Sequence, residues 1–395
     1  MPHYRCTVGP ETARMLRLGH PWVIADRYTA RWPKAPCGAL ADLVDEAGAP
    51  LGTALLEPGA RVVARLLDAG RITPDAAWIN RRLQAALNLR SRLDLGDTTA
   101  WRLVNGEGDG LPGLTVDRYD DWLLVQFYTP AWEPHLPALG RALQDLFRPR
   151  GIYLKGRPLE TRSKGTTVKG ELLTGREAPQ PLDVTEHDLR YEVDLAGELH
   201  TGLFLDQRAN RLAFRRLAAG QRVLNLFAYT GAFSVAAAAG GAVQVTSVDA
   251  APRYLERARD NFRLNGINPG VHEFLAGDCF AELEKLHRSG RQFDLVLMDP
   301  PSFSTVRSSR FTTSGGTSDL VQRALALLPP GGVLITSSNH QKVDLPEYVK
   351  ELRRGALAAG RDLRVIETAG QGGDFPWPVT FPEGCYLKYV VSVAG

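Results

Sequence analysis

A chain of 395 residues has length for two or three domains and for a buried core. Its 44% hydrophobic and 23% charged residues exclude a wholly disordered protein, and no run reaches the roughly 18 apolar residues of a membrane helix. The formal charge of +3 is too small to identify a nucleic-acid binder. Its distribution says slightly more: only eight of the 47 basic residues are Lys, and Arg suits bidentate phosphate contacts, although genome composition produces the same bias. The opening Met1-Pro2-His3-Tyr4-Arg5-Cys6 lacks the apolar segment of a secretory signal, so a cytoplasmic protein is expected. Cys6, Cys37, Cys279 and Cys385 show no CxxC spacing, which argues against a disulfide framework and against a zinc site; no metal is expected.

Residues 1–75 read as short strands rather than helices, with turns at Gly19 to Pro21, Pro33 to Gly38, Ala47 to Pro50 and Glu57 to Gly59 and a hairpin over Ala39 to Ala54. Pro74 opens a helix to about Leu95, whose buried face is expected from Ala77, Ile79, Leu83, Ala86, Leu87 and Leu93. From Trp101 to Arg157 the pattern is strand, strand, helix, strand: Leu114 to Tyr119, Trp122 to Tyr128, Pro134 to Phe147 and Gly151 to Leu154. Gly175 to Pro181 reads as a linker. Tyr191 to Leu205 reads as a hairpin turning near Ala196-Gly197-Glu198. Beyond Gln221, strands at Val223 to Phe227, Val243 to Val248, Val271 to Leu275, Phe293 to Met298 and Val333 to Ser337 alternate with helices. That is the pattern of a doubly wound parallel sheet, which binds ligands at the carboxyl ends of its strands.

Candidate functional residues fall at those ends. Asn225-Leu-Phe-Ala-Tyr-Thr-Gly231 follows the first strand, before an Ala-rich helix expected beyond Ser234. A single glycine there lets the backbone approach a ligand or, more commonly, simply serves the turn, and the absence of GxGxxG disfavours a dinucleotide. Asp249, at the tip of the second strand, is placed to accept both hydroxyls of a ribose; the alternative is helix capping. Asp278 follows the third strand, either to bond an adenine amino group or to cap the next helix. Asp299-Pro300-Pro301-Ser302-Phe303 follows the fourth, and its two prolines end the sheet hydrogen bonding and stiffen a ledge able to hold a planar group.

The series Asn225 to Gly231, Asp249, Asp278 and Asp299 to Phe303 resembles the motifs of class I S-adenosylmethionine-dependent methyltransferases. Gly19-His-Pro-Trp-Val23, Gly106 to Tyr119, Thr201-Gly-Leu-Phe-Leu-Asp-Gln-Arg208 and Phe381-Pro-Glu-Gly-Cys-Tyr-Leu-Lys388 extend the likeness across nearly the whole chain. It is similar to the bacterial 23S rRNA large-subunit methyltransferase family (RlmI/RlmO-like), which includes cytosine-C5 enzymes. The resemblance implies an α/β chain of three parts: a PUA-like RNA-binding β domain over 1–75, a central α+β domain over 76–180 and a Rossmann-like methyltransferase domain over 181–395. It further implies S-adenosyl-L-methionine as cofactor, contacted by Gln207, Arg208, Phe227, Tyr229, Thr230, Gly231, Asp249, Asp278 and Asp299. Catalysis is expected from Asp299, Pro300, Pro301 and Phe303, with Phe303 stacking on a flipped base. The expected partner is 23S ribosomal RNA and no membrane, with a homodimer left open.

One departure bears on the chemistry. Cytosine C5 is a poor nucleophile until a thiolate adds at C6, and the family's cysteine follows the fifth strand, where this chain has Thr336-Ser337-Ser338-Asn339-His340. Cys279 and Cys385 are the substitutes considered, and buried structural thiols are the competing reading. The Ser-Asn-His stretch resembles a related guanine-N7 branch (RlmK type), whose acceptor has a free lone pair and needs only positioning. Ser337, Asn339 and His340 are then expected at the RNA, with Asn339 on a base edge and His340 on a phosphate or in solvent. A non-catalytic RNA binder and a small-molecule methyltransferase are the remaining alternatives.

Overall fold

The structure, a computed structural model, describes residues 3–156, 169–197, 200–301 and 316–395. Contacts divide it into two compact units, Met1–Leu182 with Asp194–Thr201 and Gly373–Gly384, and Asp183–Val193 with Gly202–Gly372 and Cys385–Gly395.

In the first unit, strands β1 (His3–Thr7), β2 (Trp22–Ile24), β3 (Leu40–Val44), β4 (Pro50–Leu56) and β5 (Val62–Asp68) form a sheet of order β1-β3-β4-β5-β2. The hairpin expected over 39–54 is β3–β4, with Leu40 opposite Leu55. The all-strand reading of this region needs correction, because Pro10–Arg17 is a helix, α1. Pro10 sits where a helix lacks an N–H partner anyway, Glu11 bonds Arg14 one turn later, and Ala13 and Leu16 bury one face. Eight residues are too few for an apolar period to stand out.

Helix α2 (Ala76–Arg90) starts behind Asp75, whose carboxylate accepts from the Trp78 N–H at 2.8 Å. It ends at Arg90 rather than near Leu95, and its buried face carries Trp78 with Ile79, Leu83 and Ala86, while Ala77 is exposed. Beyond it, β6 (Ala100–Asn105), β7 (Leu114–Tyr119), β8 (Trp122–Phe127), helix α3 (Leu136–Phe147), β9 (Gly151–Gly156) and β10 (Glu171–Gly175) build a second sheet of order β10-β9-β8-β7-β6. Leu83, Leu139 and Leu143 pack with Val116, Val125 and Ile152 between helices and sheet. The Arg90 guanidinium is inside this unit, bidentate to Asp109 at 2.5 and 2.8 Å. It also donates to the carbonyls of Arg102 and Asp374, and the Asp374 carboxylate accepts the Arg102 N–H.

The second unit begins with a hairpin, β11 (Leu182–Glu186) and β12 (Leu189–Val193). Its turn is His187-Asp188, both at positive φ (46° and 65°), the geometry of a two-residue hairpin turn. It contains no glycine, so the usual sequence signal is missing. The hairpin expected over 191–205 has its turn at Glu198 outside the described residues, and no strand follows over 200–205. Then follow helix α4 (Arg208–Leu217), β13 (Arg222–Leu226), α5 (Ala232–Ala239), β14 (Gln244–Asp249), α6 (Pro252–Leu264), β15 (Glu273–Ala276), α7 (Cys279–Arg288), β16 (Leu295–Met298), α8 (Gly316–Leu325), β17 (Val333–Ser338), α9 (Leu345–Ala358), β18 (Leu363–Ala369) and β19 (Lys388–Ala394). Helix α5 therefore starts two residues before Ser234, not beyond it. The sheet order is β15-β14-β13-β16-β17-β19-β18, parallel except for β19, which is antiparallel to both neighbours.

Alternation along the central strands builds both cores. Val223, Leu295, Leu297 and Ile335 face Phe214 and Phe233; Leu224, Leu226, Val296 and Met298 face Leu283, Leu320 and Leu352. Among the described residues, no helix is long and apolar enough to cross a membrane.

Candidate active site

Strand order reverses between β13 and β16, the switch point at which open α/β sheets bind ligands. The loop after β13 is shaped by three left-handed residues, Phe227 (φ 60°), Tyr229 (φ 50°) and Gly231 (φ 75°). Asp249 braces it. One carboxylate oxygen accepts the Tyr229 N–H and the other the Ala251 N–H, both at 2.9 Å. Each oxygen keeps a further lone pair for a hydroxyl, and burial raises the carboxyl's pKa. Asp249 is not the cap of α6, whose N-cap is Ala251.

Glycine at 231 follows the turn-geometry reading, with close packing added to it. A Cβ there would stand 2.6 Å from the Ala258 Cβ of α6, so close helix packing and the positive φ require it. Thr230 is buried, its hydroxyl donating to the Gly202 carbonyl at 2.6 Å and its own carbonyl accepting from Asn261. The Tyr229 ring lies against Phe204 and Tyr254, with centroids 5.5 and 4.5 Å away. Beneath the loop a buried polar chain, Asn225 to Ser234 to Ser247, ties β13, α5 and β14 together through 2.8 Å bonds. Asp278 caps α7, one oxygen accepting the Phe280 and Ala281 N–H groups. That is its capping reading; among the described residues no hydrogen bond falls on the other oxygen.

Asp299 follows β16, with Pro300 buried and Pro301 exposed. Phe303, the expected stacking residue, lies outside the described residues. The Asp299 carboxylate accepts from the Gln207 Nε2 at 3.2 Å, and the Ser337 hydroxyl near the end of β17 favours its ionised form. Gln207 Nε2 in turn donates to Ser337 Oγ at 2.9 Å. Burial, reinforced by the nearby Asp206, pushes the Asp299 pKa up to about 6 against these donors. Arg208 is buried in the first turn of α4. One turn on, Arg211 makes a bidentate pair with Glu186 at 2.7 and 2.6 Å. Asn339 is exposed and His340 half-buried; burial with Lys388 and Lys342 nearby lowers the imidazole pKa, so at neutral pH it would meet a phosphate as an uncharged group.

Three features of the site escaped the sequence reading. Asn210 donates to Gln207 Oε1 at 2.6 Å; its i,i+3 spacing from Gln207 was the available signal. Tyr386 donates to Asp206 at 2.7 Å, and Lys388, its pKa lowered to about 8 by burial, donates to the carbonyls of His340 and Tyr386. Both lie in the Phe381 to Lys388 stretch that carries part of the resemblance, but their partners Asp206 and His340 stand far away in sequence, so the contacts themselves left no local pattern. Of the cysteines, Cys279 is buried with its thiol pushed far above the ordinary range by desolvation, and Cys385 is exposed. Inert thiol is the usual state of such a buried cysteine.

A carboxylate with spare acceptor sites at the second strand and a second carboxylate held by neutral donors at the fourth fit a nucleoside-bearing cofactor lying across the switch point. Comparison with known proteins agrees. Residues 101–377 match the model of the S-adenosylmethionine-dependent methyltransferase family, and residues 7–69 match that of the PUA-like domain. Ribosomal RNA large subunit methyltransferase I of Klebsiella pneumoniae (strain 342) is 38% identical over 371 residues, 93% of each chain. The protein of that name from Salmonella arizonae is 36% identical over 390 residues, covering 98% of this chain and 97% of the other. Among solved structures, the SMU.776 methyltransferase complexed with SAH superposes with a TM-score of 0.89 at 28% identity, covering 98% of this chain and 99% of that one. The chain belongs to the S-adenosylmethionine-dependent methyltransferases, in the ribosomal RNA large-subunit family that carries a PUA-like domain.

Proposed function

We propose that this enzyme methylates a base of large-subunit ribosomal RNA in the cytoplasm, with the base brought to Asp299 and the cofactor's ribose held by Asp249. The observation that carries the assignment is the pair of carboxylates at the switch point: Asp249, with a lone pair to spare on each oxygen, and Asp299, which accepts from Gln207, has the Ser337 hydroxyl nearby and makes no ion pair among the described residues. The names of the relatives, ribosomal RNA large subunit methyltransferase I, support the substrate class. S-adenosylmethionine supplies an electrophilic methyl group when bound. The chain's own residues orient and exclude: Gln207 and Ser337 aim the Asp299 carboxylate, Pro300 ends the strand, and Asp299 meets the polar edge of a base turned out of its stack. In this reading 1–75 and 76–180 are RNA-gripping and connecting domains for the catalytic part over 181–395.

Family resemblance supports cytosine C5 as the acceptor. A nitrogen such as guanine N7 is the second reading, favoured by the residues themselves: Thr336 to His340 holds no cysteine, and the Cys279 thiol is buried and strongly disfavoured as thiolate. Nucleoside mass spectrometry of large-subunit rRNA from cells with and without the gene separates the two. Loss of one 5-methylcytosine supports C5 and turns attention to Cys385 and Cys279. Loss of a methylguanine supports nitrogen transfer, and an unchanged nucleoside profile overturns the rRNA assignment and returns the RNA-binding alternative.

A further inference from the structure

We propose that Asn210 is a positioning residue for methyl transfer, holding the carboxamide oxygen of Gln207 so that the Gln207 NH2 group is turned onto Asp299 and Ser337. The proposal rests on the reading of Asp299 as the group that meets the base.

The two ends of a glutamine amide are nearly equal in size, so its partners decide which way it faces. Asn210 Nδ2 donates to Gln207 Oε1 at 2.6 Å and to the Gly370 carbonyl, just past β18, at 3.2 Å. A backbone carbonyl accepts only, so Gly370 fixes the Asn210 amide, and Asn210 fixes the Gln207 amide in turn. Both Gln207 hydrogens are then committed, one to Asp299 Oδ2 at 3.2 Å and one to Ser337 Oγ at 2.9 Å. A serine that accepts from Gln207 has its own hydrogen available to turn toward the Asp299 carboxylate, whose ionised form the Ser337 hydroxyl favours. The carboxylate thus receives the Gln207 hydrogen bond and has the Ser337 hydroxyl nearby, both groups neutral, and both arrangements trace back to the orientation set at Asn210. Reversing the Gln207 amide would oppose its carbonyl oxygen to the carboxylate and leave Ser337 without its donor.

Hydrogen bonds of this kind favour the ionised carboxyl, while burial opposes it. The charged and titratable groups around Asp299 are Asp206 and Arg211 at α4, Tyr348 of α9 and Tyr389 of β19. Arg211 is tied to Glu186, and Asp206 accepts from Tyr386. Replacing Asn210 by leucine alters none of these charges.

The test is the pH dependence of kcat/KM on an rRNA fragment, read for Asn210→Leu, Gln207→Leu and the double variant, with cofactor affinity from calorimetry. Asn210→Leu is expected to move the Asp299 inflection, near pH 6 in the parent, upward by about half to one pH unit, roughly a three- to tenfold change in rate on the steep limb. In the Gln207→Leu background it should move it no further, because Asn210 acts through Gln207. A uniform fall at every pH, or an equal displacement with and without Gln207, overturns the proposal. Should Asn210→Leu fail to fold, the smaller Asn210→Ala removes the donors without adding a charge and is expected to move the inflection the same way. Asp299→Asn separates this failure from failure of the site reading: if it keeps full activity and the inflection, Asp299 is not the base-contacting group.

Discussion

Asp109 in the first unit and Asp299 in the second are carboxylates withdrawn from bulk water, and they are satisfied by opposite means. Asp109 meets the Arg90 fork at 2.5 and 2.8 Å with both side chains almost fully buried, 3% and 1% exposed. Among the described residues, Asp299 accepts from the Gln207 amide, has the Ser337 hydroxyl nearby and makes no ion pair. A bidentate guanidinium cancels the charge it touches, leaving a rigid joint with nothing left to give. Neutral donors orient a carboxylate without cancelling it, so burial lifts the Asp299 pKa to about 6, where a group is able to change its proton in working solution. Glu186 repeats the first solution in the second unit, paired with Arg211 at 3% and 2% exposure. The contrast therefore follows the partners each carboxylate has rather than the unit that contains it.

Arg90→Met breaks the comparison on its structural side. Leaving Asp109 buried and unpaired should cost about 3–5 kcal/mol in urea or thermal unfolding, and adding Asp109→Leu should recover much of it. A single variant as stable as the parent would mean that the pair is not structural.

Asp299→Asn tests the reactive side. Methyl transfer is expected to fall by roughly 10²–10³-fold, the range for losing a preorganised polar group at a reacting centre. Its effect on stability has the opposite sign. A carboxyl whose folded pKa lies above its ordinary 3.8 binds its proton more tightly when folded, so its contribution is full below 3.8 and is lost as pH rises through about 6. The variant should accordingly melt higher than the parent above pH 6 and equally below 3.8; a lower melting point above pH 6 would contradict this.

Asp249→Ala is the smallest of the three. Losing the ribose acceptor and the brace on Tyr229 should weaken cofactor binding about ten- to a hundredfold by calorimetry, with the rRNA affinity unchanged. Undiminished cofactor affinity would refute the ribose assignment.

Legibility in the sequence followed the range of the interaction. The five parallel strands near β13 could be placed within about two residues because each is a short apolar run between helices, a local pattern. Their acidic tips, Asp249, Asp278 and Asp299, came with them. Helix α1 and the His187-Asp188 turn were missed, the one too short for periodicity and the other lacking the glycine that advertises a hairpin. Nothing in the sequence set Arg90 apart from the other arginines, since its partners Asp109 and Asp374 stand 19 and 284 positions away. Gln207 was found through a motif, but Asn210 and Gly370 were not, because an amide's orientation is decided by contacts in three dimensions.

The first unit is completed by Gly373–Gly384, which the chain reaches only after most of the second unit. Asp374, from that stretch, closes the bonds of Arg90 and Arg102. No single cut in the gene therefore yields a whole first unit, and a nascent chain cannot finish it until the ribosome has passed residue 384.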